Sequence, residues 1–225
     1  MTEHTSHEVK RPTLLVMAGG TGGHIFPGIA VAEALVKQGW NIHWLGTERM
    51  EAELVPKNGY PISFINIAGI RNKNWQTWLK TPFKILQSVW QSIRVLREVK
   101  PDVVLGMGGY ASAPGGVAAW LLRIPLVLHE QNAVAGMSNR FLSHFATRTL
   151  SAFPGAFSKR VTPEVVGNPL RSDIIAIENV MPAQPATSKK VLVVGGSLGA
   201  KILNDVVPQA MKQIKVQSID VWHQT

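Results

Sequence analysis

The sequence has no cysteine among its 225 residues. This absence excludes a disulfide framework and any metal site built on thiolate ligands, and it is typical of proteins from a reducing compartment. Long apolar runs are also missing, since no stretch reaches the roughly 18 apolar residues of a membrane-spanning helix. The segment from Met1 to Lys10 is polar, which argues against a signal peptide. We therefore expect a cytoplasmic protein that is soluble or bound peripherally to a membrane.

Acidic residues are scarce, with 14 Asp and Glu against 23 Lys and Arg, and the net charge is +9. The basic excess is concentrated between Arg71 and Lys100, where Glu98 is the only acid. A basic surface of this kind suits nucleic acid, anionic lipid or phosphorylated substrates. Large apolar side chains lie between these charges. They favour a lipid surface over nucleic acid, whose recognition needs polar groups spaced along a groove.

The candidate membrane-contacting residues belong to the first half of this basic stretch, because tryptophan between cations is typical of the headgroup boundary of an anionic bilayer. These candidates are Trp75, Trp78, Leu79, Phe83, Lys73, Lys80 and Lys84. We predict that a new helix starts at Thr81-Pro82 and that its apolar residues at helical spacing are core. The residues assigned to the core are Leu86, Val89, Ile93 and Leu96. Burial of the apolar membrane candidates as ordinary core is the alternative.

Short apolar runs alternate with helical patterns along the chain. The runs are rich in β-branched residues and bounded by glycine, which is typical of buried parallel strands. The predicted strands are Leu14–Ala18, Asn41–Gly46, Ile62–Ile65, Val103–Gly106 and Leu126–His129. The predicted helices are Pro27–Gln38, Pro82–Val99 and Ser112–Leu122. This order predicts a doubly wound, Rossmann-like α/β sheet that binds ligands at the carboxyl ends of its strands.

A change in composition at residues 177–190 predicts a linker between two domains. This stretch contains prolines and small polar residues without periodicity. After it come a strand, a glycine turn, a helix and a strand, the order with which the chain begins. We therefore predict a Rossmann-like domain over residues 1–176 and the first part of a second one over residues 191–225. One βαβ unit cannot cover its own sheet, so we expect the second domain to be incomplete.

Three glycine-rich turns follow predicted strands. They are Gly19–His24, Gly106–Tyr110 and Gly195–Gly199. Glycine permits a sharp turn and a close approach of a ligand to backbone N–H groups, and a helix that begins at such a turn favours a phosphate. Neither the dinucleotide-binding pattern Gly-x-Gly-x-x-Gly nor the phosphate loop of nucleoside triphosphatases fits these turns. They therefore indicate phosphorylated substrates of another kind.

Six segments carry a resemblance to a known family. They are Gly19–Pro27, Gly106–Tyr110, His129–Asn132, Ala152–Phe157, Val166–Pro169 and Gly195–Ala200. In this order they resemble the signature segments of the MurG-type N-acetylglucosaminyltransferases of peptidoglycan synthesis. These are glycosyltransferases of the GT-B fold, which has two Rossmann-like domains. The resemblance extends over nearly the whole chain.

The resemblance implies an inverting transfer of GlcNAc from UDP-GlcNAc to the 4-hydroxyl of MurNAc in undecaprenyl-pyrophosphoryl-MurNAc-pentapeptide (lipid I), which yields lipid II and UDP. It also implies a peripheral enzyme on the cytoplasmic side of the bacterial inner membrane. No metal or other cofactor is expected, because GT-B enzymes stabilise the departing diphosphate with glycine turns and helix N-termini. We expect a chain with an incomplete second domain to be inactive alone. The alternatives are a non-catalytic lipid-pyrophosphate-binding fragment and a related GT-B glycosyltransferase with another acceptor.

The resemblance also implies roles for single residues, with His24 as the base. The residues implied for UDP-GlcNAc are Thr21, Gly22, Gly23, Asn132, Arg171 and Ser197. The candidates for the acceptor and its diphosphate are Gly108, Gly109, Tyr110, His129 and Glu130. Purely structural roles remain open for His24 and Ser197, and Arg171 could be an ordinary exposed charge. His129 and Glu130 could equally be structural or face the acceptor, because polar groups at the end of a buried strand require partners.

Overall fold

The computed structural model describes residues 10–67, 75–177, 189–195, 200–214 and 219–224, with the side chains of residues 75–80 and 200 left out. The chain divides into two compact units, Met1–Ala176 and Ile177–Thr225. Each unit has a sheet of its own, with seven strands in the first and two in the second.

The first unit alternates strands and helices along the chain. Its strands are β1 (Thr13–Ala18), β2 (Asn41–Gly46), β3 (Ile62–Phe64), β4 (Val103–Gly108), β5 (Leu126–Glu130), β6 (Arg148–Ser151) and β7 (Glu164–Val165). Its helices are α1 (Gly22–Lys37), α2 (Met50–Lys57), α3 (Trp75–Val99), α4 (Ser112–Leu121), α5 (Met137–Leu142) and α6 (Ser172–Ile175). Neighbouring strands are parallel throughout this sheet, as the sequence predicts for a doubly wound fold.

The direction in which successive strands are added to the sheet reverses at β1. The strand order is β3-β2-β1-β4-β5-β6-β7, so β2 and β3 lie on one side of β1 and the later strands lie on the other. In open α/β sheets, the strand order reverses between two neighbouring strands, and the loops that follow these two strands run to opposite sides of the sheet. The loops thereby form a crevice at the carboxyl ends of the two strands. The strands that border this crevice are β1 and β4. The Gly19–His24 turn follows β1, and β4 ends within the Gly106–Tyr110 turn.

Apolar layers cover both faces of the sheet, because successive residues of a strand point to opposite sides. On one face, Leu15 and Met17 of β1 pack in a core to which α3, α4 and α5 contribute. On the other face, Leu14 and Val16 pack with Ile25 and Ile29 of α1 and with residues of α2. This double burial explains why β1 is recognisable as a continuous apolar run.

The predicted helix starts at Pro27 and at Thr81-Pro82 are wrong. Helix α1 begins at Gly22 and α3 begins at Trp75, so Pro27 and Pro82 both lie inside helices. An interior proline removes one backbone hydrogen bond, but the helix continues where packing outweighs that loss. In α1 the packing comes from Ile25 and Ile29, which are fully buried on either side of Pro27.

The assignment of Leu86 to the core is also wrong, since this side chain is 66% exposed. The buried stripe of α3 instead runs through Ser88, Ser92 and Leu96, at a spacing of four residues. The two serines can be buried because their hydroxyls donate to the backbone carbonyls of Ile85 and Ser88. Val89 and Ile93 lie at the margin of the stripe and are half-buried. The exposed side of α3 therefore carries large apolar residues.

The second unit consists of β8 (Lys189–Val193), α7 (Ala200–Gln213) and β9 (Ile219–His223) in its described residues. Strands β8 and β9 are parallel, and Val191 lies opposite Val221. This is the strand-helix-strand pattern that the sequence predicts. Across the described residues of both units, no helix is both long and apolar enough to cross a membrane.

Candidate active site at the sheet switch point

Two glycine turns pack against each other at the carboxyl ends of β1 and β4. Gly108 and Gly109 have positive φ angles of 100° and 94°, a conformation that glycine adopts without strain. A Cβ on Gly109 would collide with the carbonyl oxygen of Gly19 and would lie 3.0 Å from the Gly19 nitrogen. Glycine at position 109 is therefore required for the direct backbone contact. The Gly19–His24 and Gly106–Tyr110 turns are therefore in direct contact at Gly19 and Gly109.

The Gly19–His24 turn presents free backbone donors. The N–H groups of His24 and Ile25 donate to the Thr21 carbonyl, at 3.1 and 3.2 Å. The N–H groups of Thr21, Gly22 and Gly23 have no acceptor within the part of the chain that the structure describes. These groups lie at the amino end of the 16-residue helix α1, where the helix dipole favours an anion. Thr21, Gly22 and Gly23, three of the residues predicted for UDP-GlcNAc, therefore present free N–H donors at a helix start, where an anion is favoured.

The ring of His24 is held in one orientation by its Nδ1 atom. Nδ1 lies 3.2 Å from the Gly19 carbonyl oxygen and 3.2 Å from the Thr21 hydroxyl. A carbonyl oxygen only accepts, so in the neutral ring Nδ1 carries the hydrogen and Nε2 keeps the lone pair. Nε2 has no protein partner among the described residues. A Cβ on Gly108 would lie 3.0 Å from Nε2, so glycine at position 108 leaves this edge of the ring uncovered.

A buried carboxylate that sequence reasoning missed supports the first turn. Glu51, near the start of α2, is only 1% exposed. Its Oε2 accepts from the Gly20 N–H at 2.9 Å, and its Oε1 accepts from the Thr47 N–H at 2.9 Å and the Thr47 hydroxyl at 2.6 Å. Glu51 thereby ties the ends of β1 and β2 together. In sequence it resembles the solvated acids common in first helical turns, so no signal distinguished it.

Glu130, at the end of β5, accepts two hydrogen bonds on each oxygen of its carboxylate. Its Oε1 accepts from the backbone N–H and the Nδ2 of Asn132, at 3.0 and 2.8 Å. Its Oε2 accepts from the Gly136 N–H at 3.0 Å and from the Nδ2 of Asn139 at 2.9 Å. Glu130 is 1% exposed. The structure therefore favours the structural role for Glu130, which fixes Asn132 at the edge of the sheet.

His129 uses both ring nitrogens inside the protein. Its Nε2 donates to the Gly167 carbonyl at 2.9 Å, and its Nδ1 accepts from the Nε2 of Gln131 at 3.3 Å. Burial lowers the pKa of His129, although the hydrogen bond to Gly167 and the charge of Glu130 act in the opposite direction. His129 thus connects β5 to the loop after β7, and the structure favours a positioning role for it.

Arg171 lies at the start of α6 with its guanidinium over the ring of Phe26, 5.0 Å from the ring centroid. The same guanidinium pairs with Asp173 at 3.1 Å. Phe26 belongs to α1, so these contacts hold Arg171 beside the helix that begins at the first glycine turn. The side chain of Arg171 is 38% exposed while it makes these contacts.

Several predicted site residues are not placed by the structure. Lys73 and Ser197 lie outside the described residues, and so do the side chains of Trp75, Trp78, Leu79 and Lys80. Phe83 and Lys84 are described and exposed, with Phe83 at 75%. Within the described residues there is no group of three or more His, Cys, Asp or Glu side chains that could hold a metal ion.

The doubly wound sheet and its joined glycine turns define the amino-terminal half of a GT-B glycosyltransferase. Residues 14–151 match the family described as "Glycosyltransferase family 28 N-terminal domain", and the chain belongs to this family. The predicted fold class and family resemblance are thereby confirmed.

Two transferases and one crystal structure are similar to this chain along almost its whole length. The UDP-N-acetylglucosamine–N-acetylmuramyl-(pentapeptide) pyrophosphoryl-undecaprenol N-acetylglucosamine transferase of Colwellia psychrerythraea is 59% identical over 220 residues, which are 95% of this chain and 57% of that protein. The transferase of the same name from Aeromonas hydrophila is 57% identical over 94% of this chain and 59% of its own length. The crystal structure of Acinetobacter baumannii MurG matches with a TM-score of 0.75 and 39% identity, over 95% of this chain and 60% of that one. The chain therefore spans about three fifths of the relatives that it matches.

Proposed function

We propose that this chain supplies the acceptor-binding part and the catalytic base of an inverting N-acetylglucosaminyltransferase. The donor is UDP-GlcNAc, the acceptor is lipid I, and the products are lipid II and UDP. The names of the relatives support this reaction. The observation that carries the proposal is that one turn, Gly19–His24, holds a histidine whose Nε2 has no described partner and three backbone N–H groups without an acceptor. The Gly106–Tyr110 turn packs against it and has no side chain at Gly108 to cover the ring.

The chemistry needs a proton acceptor and a site for the departing charge. The 4-hydroxyl oxygen of MurNAc forms a bond to the anomeric carbon of GlcNAc, the bond from that carbon to the UDP oxygen breaks, and UDP leaves with the electron pair. The hydroxyl proton passes to Nε2 of His24. The N–H groups of Thr21, Gly22 and Gly23 stabilise charge that develops on the diphosphate. In this mechanism no metal or other cofactor is required.

We also propose that the protein binds the cytoplasmic surface of the bacterial inner membrane through α3. The described part of this helix exposes Phe83, Leu86 and Trp90, at 75%, 66% and 62%. Exposed cations such as Lys84 and Arg94 lie on the same helix. Apolar side chains next to cations suit an anionic bilayer, where each cation near the surface contributes about 1 kcal/mol. Helix α4, which packs against α3, adds the exposed Trp120.

Formation of lipid II by a chimaera tests the reaction. The chimaera joins this chain to the carboxyl-terminal part of the Colwellia relative that the chain does not match. We expect transfer of labelled GlcNAc to a short-chain lipid I analogue, and no transfer to the same analogue with a 4-deoxy MurNAc. If the chimaera is folded but transfers only to other acceptors, the related-glycosyltransferase alternative is correct. If the analogue binds without transfer, the non-catalytic alternative is correct.

Vesicle co-sedimentation of the 225-residue chain tests the membrane surface. The double variant Phe83→Ser and Leu86→Ser should reduce binding to vesicles that contain phosphatidylglycerol by about tenfold, and added salt should reduce it further. The control is Val36→Ser on α1, which removes a side chain of 47% exposure from another helix. Equal binding by the parent chain and the double variant would contradict a membrane role for α3.

A further inference from the structure

A cation that the proposed function leaves unused lies at the same switch point. Arg49 precedes α2, and its guanidinium carbon lies 4.5 Å from the centroid of the Tyr110 ring. The Tyr110 ring in turn lies beside the first turn, because a Cβ on Gly20 would be 3.8 Å from its Cδ2 atom. Residues from the ends of β1, β2 and β4 therefore converge, and Tyr110 separates Arg49 from Gly20.

The backbone that carries Arg49 is firmly held. Its N–H donates to the Thr47 carbonyl at 2.8 Å. Thr47 and Gly20 are both hydrogen-bonded to the buried Glu51. The Arg49 loop is thus fixed to the Gly19–His24 turn by a carboxylate, while its side chain reaches to the other turn. This arrangement limits the conformational entropy that the side chain would lose on binding a ligand.

The charge of Arg49 is not neutralised by a carboxylate in the described part of the chain, where the ion pairs are those of Lys57 with Glu53 and Arg171 with Asp173. Arg49 is exposed. A guanidinium over an aromatic ring keeps the N–H groups of its edge free, and these groups match the oxygens of a phosphate in a bidentate geometry. Lysine would keep the charge but not this planar set of donors.

We propose that Arg49 is a further substrate-binding residue, which binds the diphosphate of a substrate at the Gly106–Tyr110 turn from its position on the Tyr110 ring. The inference rests on the proposed function for the identity of that substrate. Both the lipid acceptor and UDP-GlcNAc carry a diphosphate, and Arg49 serves whichever of the two occupies this turn. Tyr110 acts as a positioning residue through its ring and not through its hydroxyl.

Direct binding tests the proposal without reference to catalysis. Calorimetric titration of the 225-residue chain with inorganic pyrophosphate should show binding that Arg49→Ala weakens about tenfold and Arg49→Lys weakens less. Tyr110→Phe should retain binding and Tyr110→Ala should not. The control is Arg148→Ala, which removes the same charge from an exposed residue at the amino end of β6. The glycine turns lie at the carboxyl ends of the strands, at the opposite end of the sheet from this residue. Absence of binding by the parent chain, or equal losses for Arg49→Ala and Arg148→Ala, would overturn the proposal.

Kinetics of the chimaera identify the substrate. If the acceptor supplies the diphosphate, Arg49→Ala should raise the KM for the lipid I analogue about tenfold, with kcat and the KM for UDP-GlcNAc within about twofold. If the donor supplies it, the two KM effects should be exchanged. Unchanged KM values in an active chimaera would overturn the role of Arg49 and leave the proposed reaction intact. An inactive parent chimaera would count against the reaction, and the pyrophosphate titration would still decide the role of Arg49.

Discussion

His24 and His129 both lie at the carboxyl ends of strands of one sheet, and each has one ring nitrogen that hydrogen-bonds to a backbone carbonyl. They differ in what lies against the other ring nitrogen. His129 is 3% exposed, and its second nitrogen accepts from Gln131. His24 is half-buried, and its Nε2 faces the bare backbone of Gly108. The difference comes from the neighbouring residues, an amide in one case and a glycine in the other.

This comparison bears on the roles proposed for the two histidines, proton acceptor for His24 and positioning residue for His129. A general base needs an unshared lone pair that a substrate can reach. The Nε2 of His24, the proposed base, has no partner among the described residues, whereas the Nδ1 lone pair of His129 accepts from Gln131. For a histidine at the end of a parallel strand, the group that lies against its second ring nitrogen therefore distinguishes a candidate proton acceptor from a positioning residue.

Removal of His24 should have the largest effect on activity. In the chimaera, His24→Ala should lower kcat by roughly 10² to 10⁴, because the hydroxyl proton loses its acceptor, and should change the KM for UDP-GlcNAc little. Steady-state kinetics with a soluble lipid I analogue measures both constants. His144→Ala, at an exposed position after α5, should leave kcat unchanged. An unchanged kcat in His24→Ala would remove His24 from the role of base.

Removal of Glu130 should have the largest effect on stability. Glu130→Ala removes the acceptor of four hydrogen bonds, from Asn132, Gly136 and the buried Asn139, and a buried donor left without a partner costs about 1 to 3 kcal/mol. We expect the free energy of unfolding to fall by about 3 kcal/mol or more, as measured by urea denaturation. The control Glu53→Ala removes an exposed acid of α2, whose ion pair with Lys57 is screened by water, and should leave the free energy of unfolding almost unchanged. A similar loss in both variants would contradict the structural role of Glu130.

A smaller effect should appear in the pH dependence of stability. The folded-state pKa of His129 is lowered by burial, so its neutral form is the one that the fold accommodates. Its contribution is present above the pKa of the unfolded chain, about 6.5, and is lost as the pH falls through that value towards the lower folded pKa. His129→Gln should therefore lose less stability between pH 7.5 and 5.5 than the parent chain.

His43 provides the matched comparison for this pH effect. Burial also lowers its pKa, while the charge of Glu98 opposes the shift. His43→Gln should remove a separate part of the same pH dependence, and the double variant should remove more than either single one. An identical pH dependence in the parent chain and His129→Gln would show that His129 is not held in its neutral form.

The sequence predicted the central strands correctly, because β1, β2, β4 and β5 are buried on both faces and appear as apolar runs. The helices α2 and α5 were missed, since they have eight and six residues and too few turns for a clear periodicity. The start of α1 was misplaced because two glycines precede the first buried residue, Ile25. The hydrophobic pattern of a sequence predicts long buried elements better than it predicts short elements or the ends of elements.

The part of the candidate site that the two glycine turns form could be predicted from the sequence. Both turns were recognised from their composition, and the structure brings them into contact. Arg49 and Glu51 were not recognised, because they follow β2, which becomes the neighbour of β1 only through the strand order. The role of His129 stayed open because its partner Gly167 is distant in sequence. The role of Glu130 stayed open because the conformation of the segment after β5, and not its composition, brings Asn132, Gly136 and Asn139 to the carboxylate. Such contacts depend on tertiary structure and leave no local pattern.

The protonated nitrogens of the two histidines provide the most direct test. Two-bond ¹H–¹⁵N correlation spectra of the histidine rings at about pH 7.5, assigned with His24→Gln and His129→Gln, identify which nitrogen carries the hydrogen. The hydrogen bonds predict an Nδ1–H ring for His24 and an Nε2–H ring for His129. A His24 ring with its hydrogen on Nε2 would place a proton on the atom proposed to accept one, and would contradict the assignment of His24 as the base.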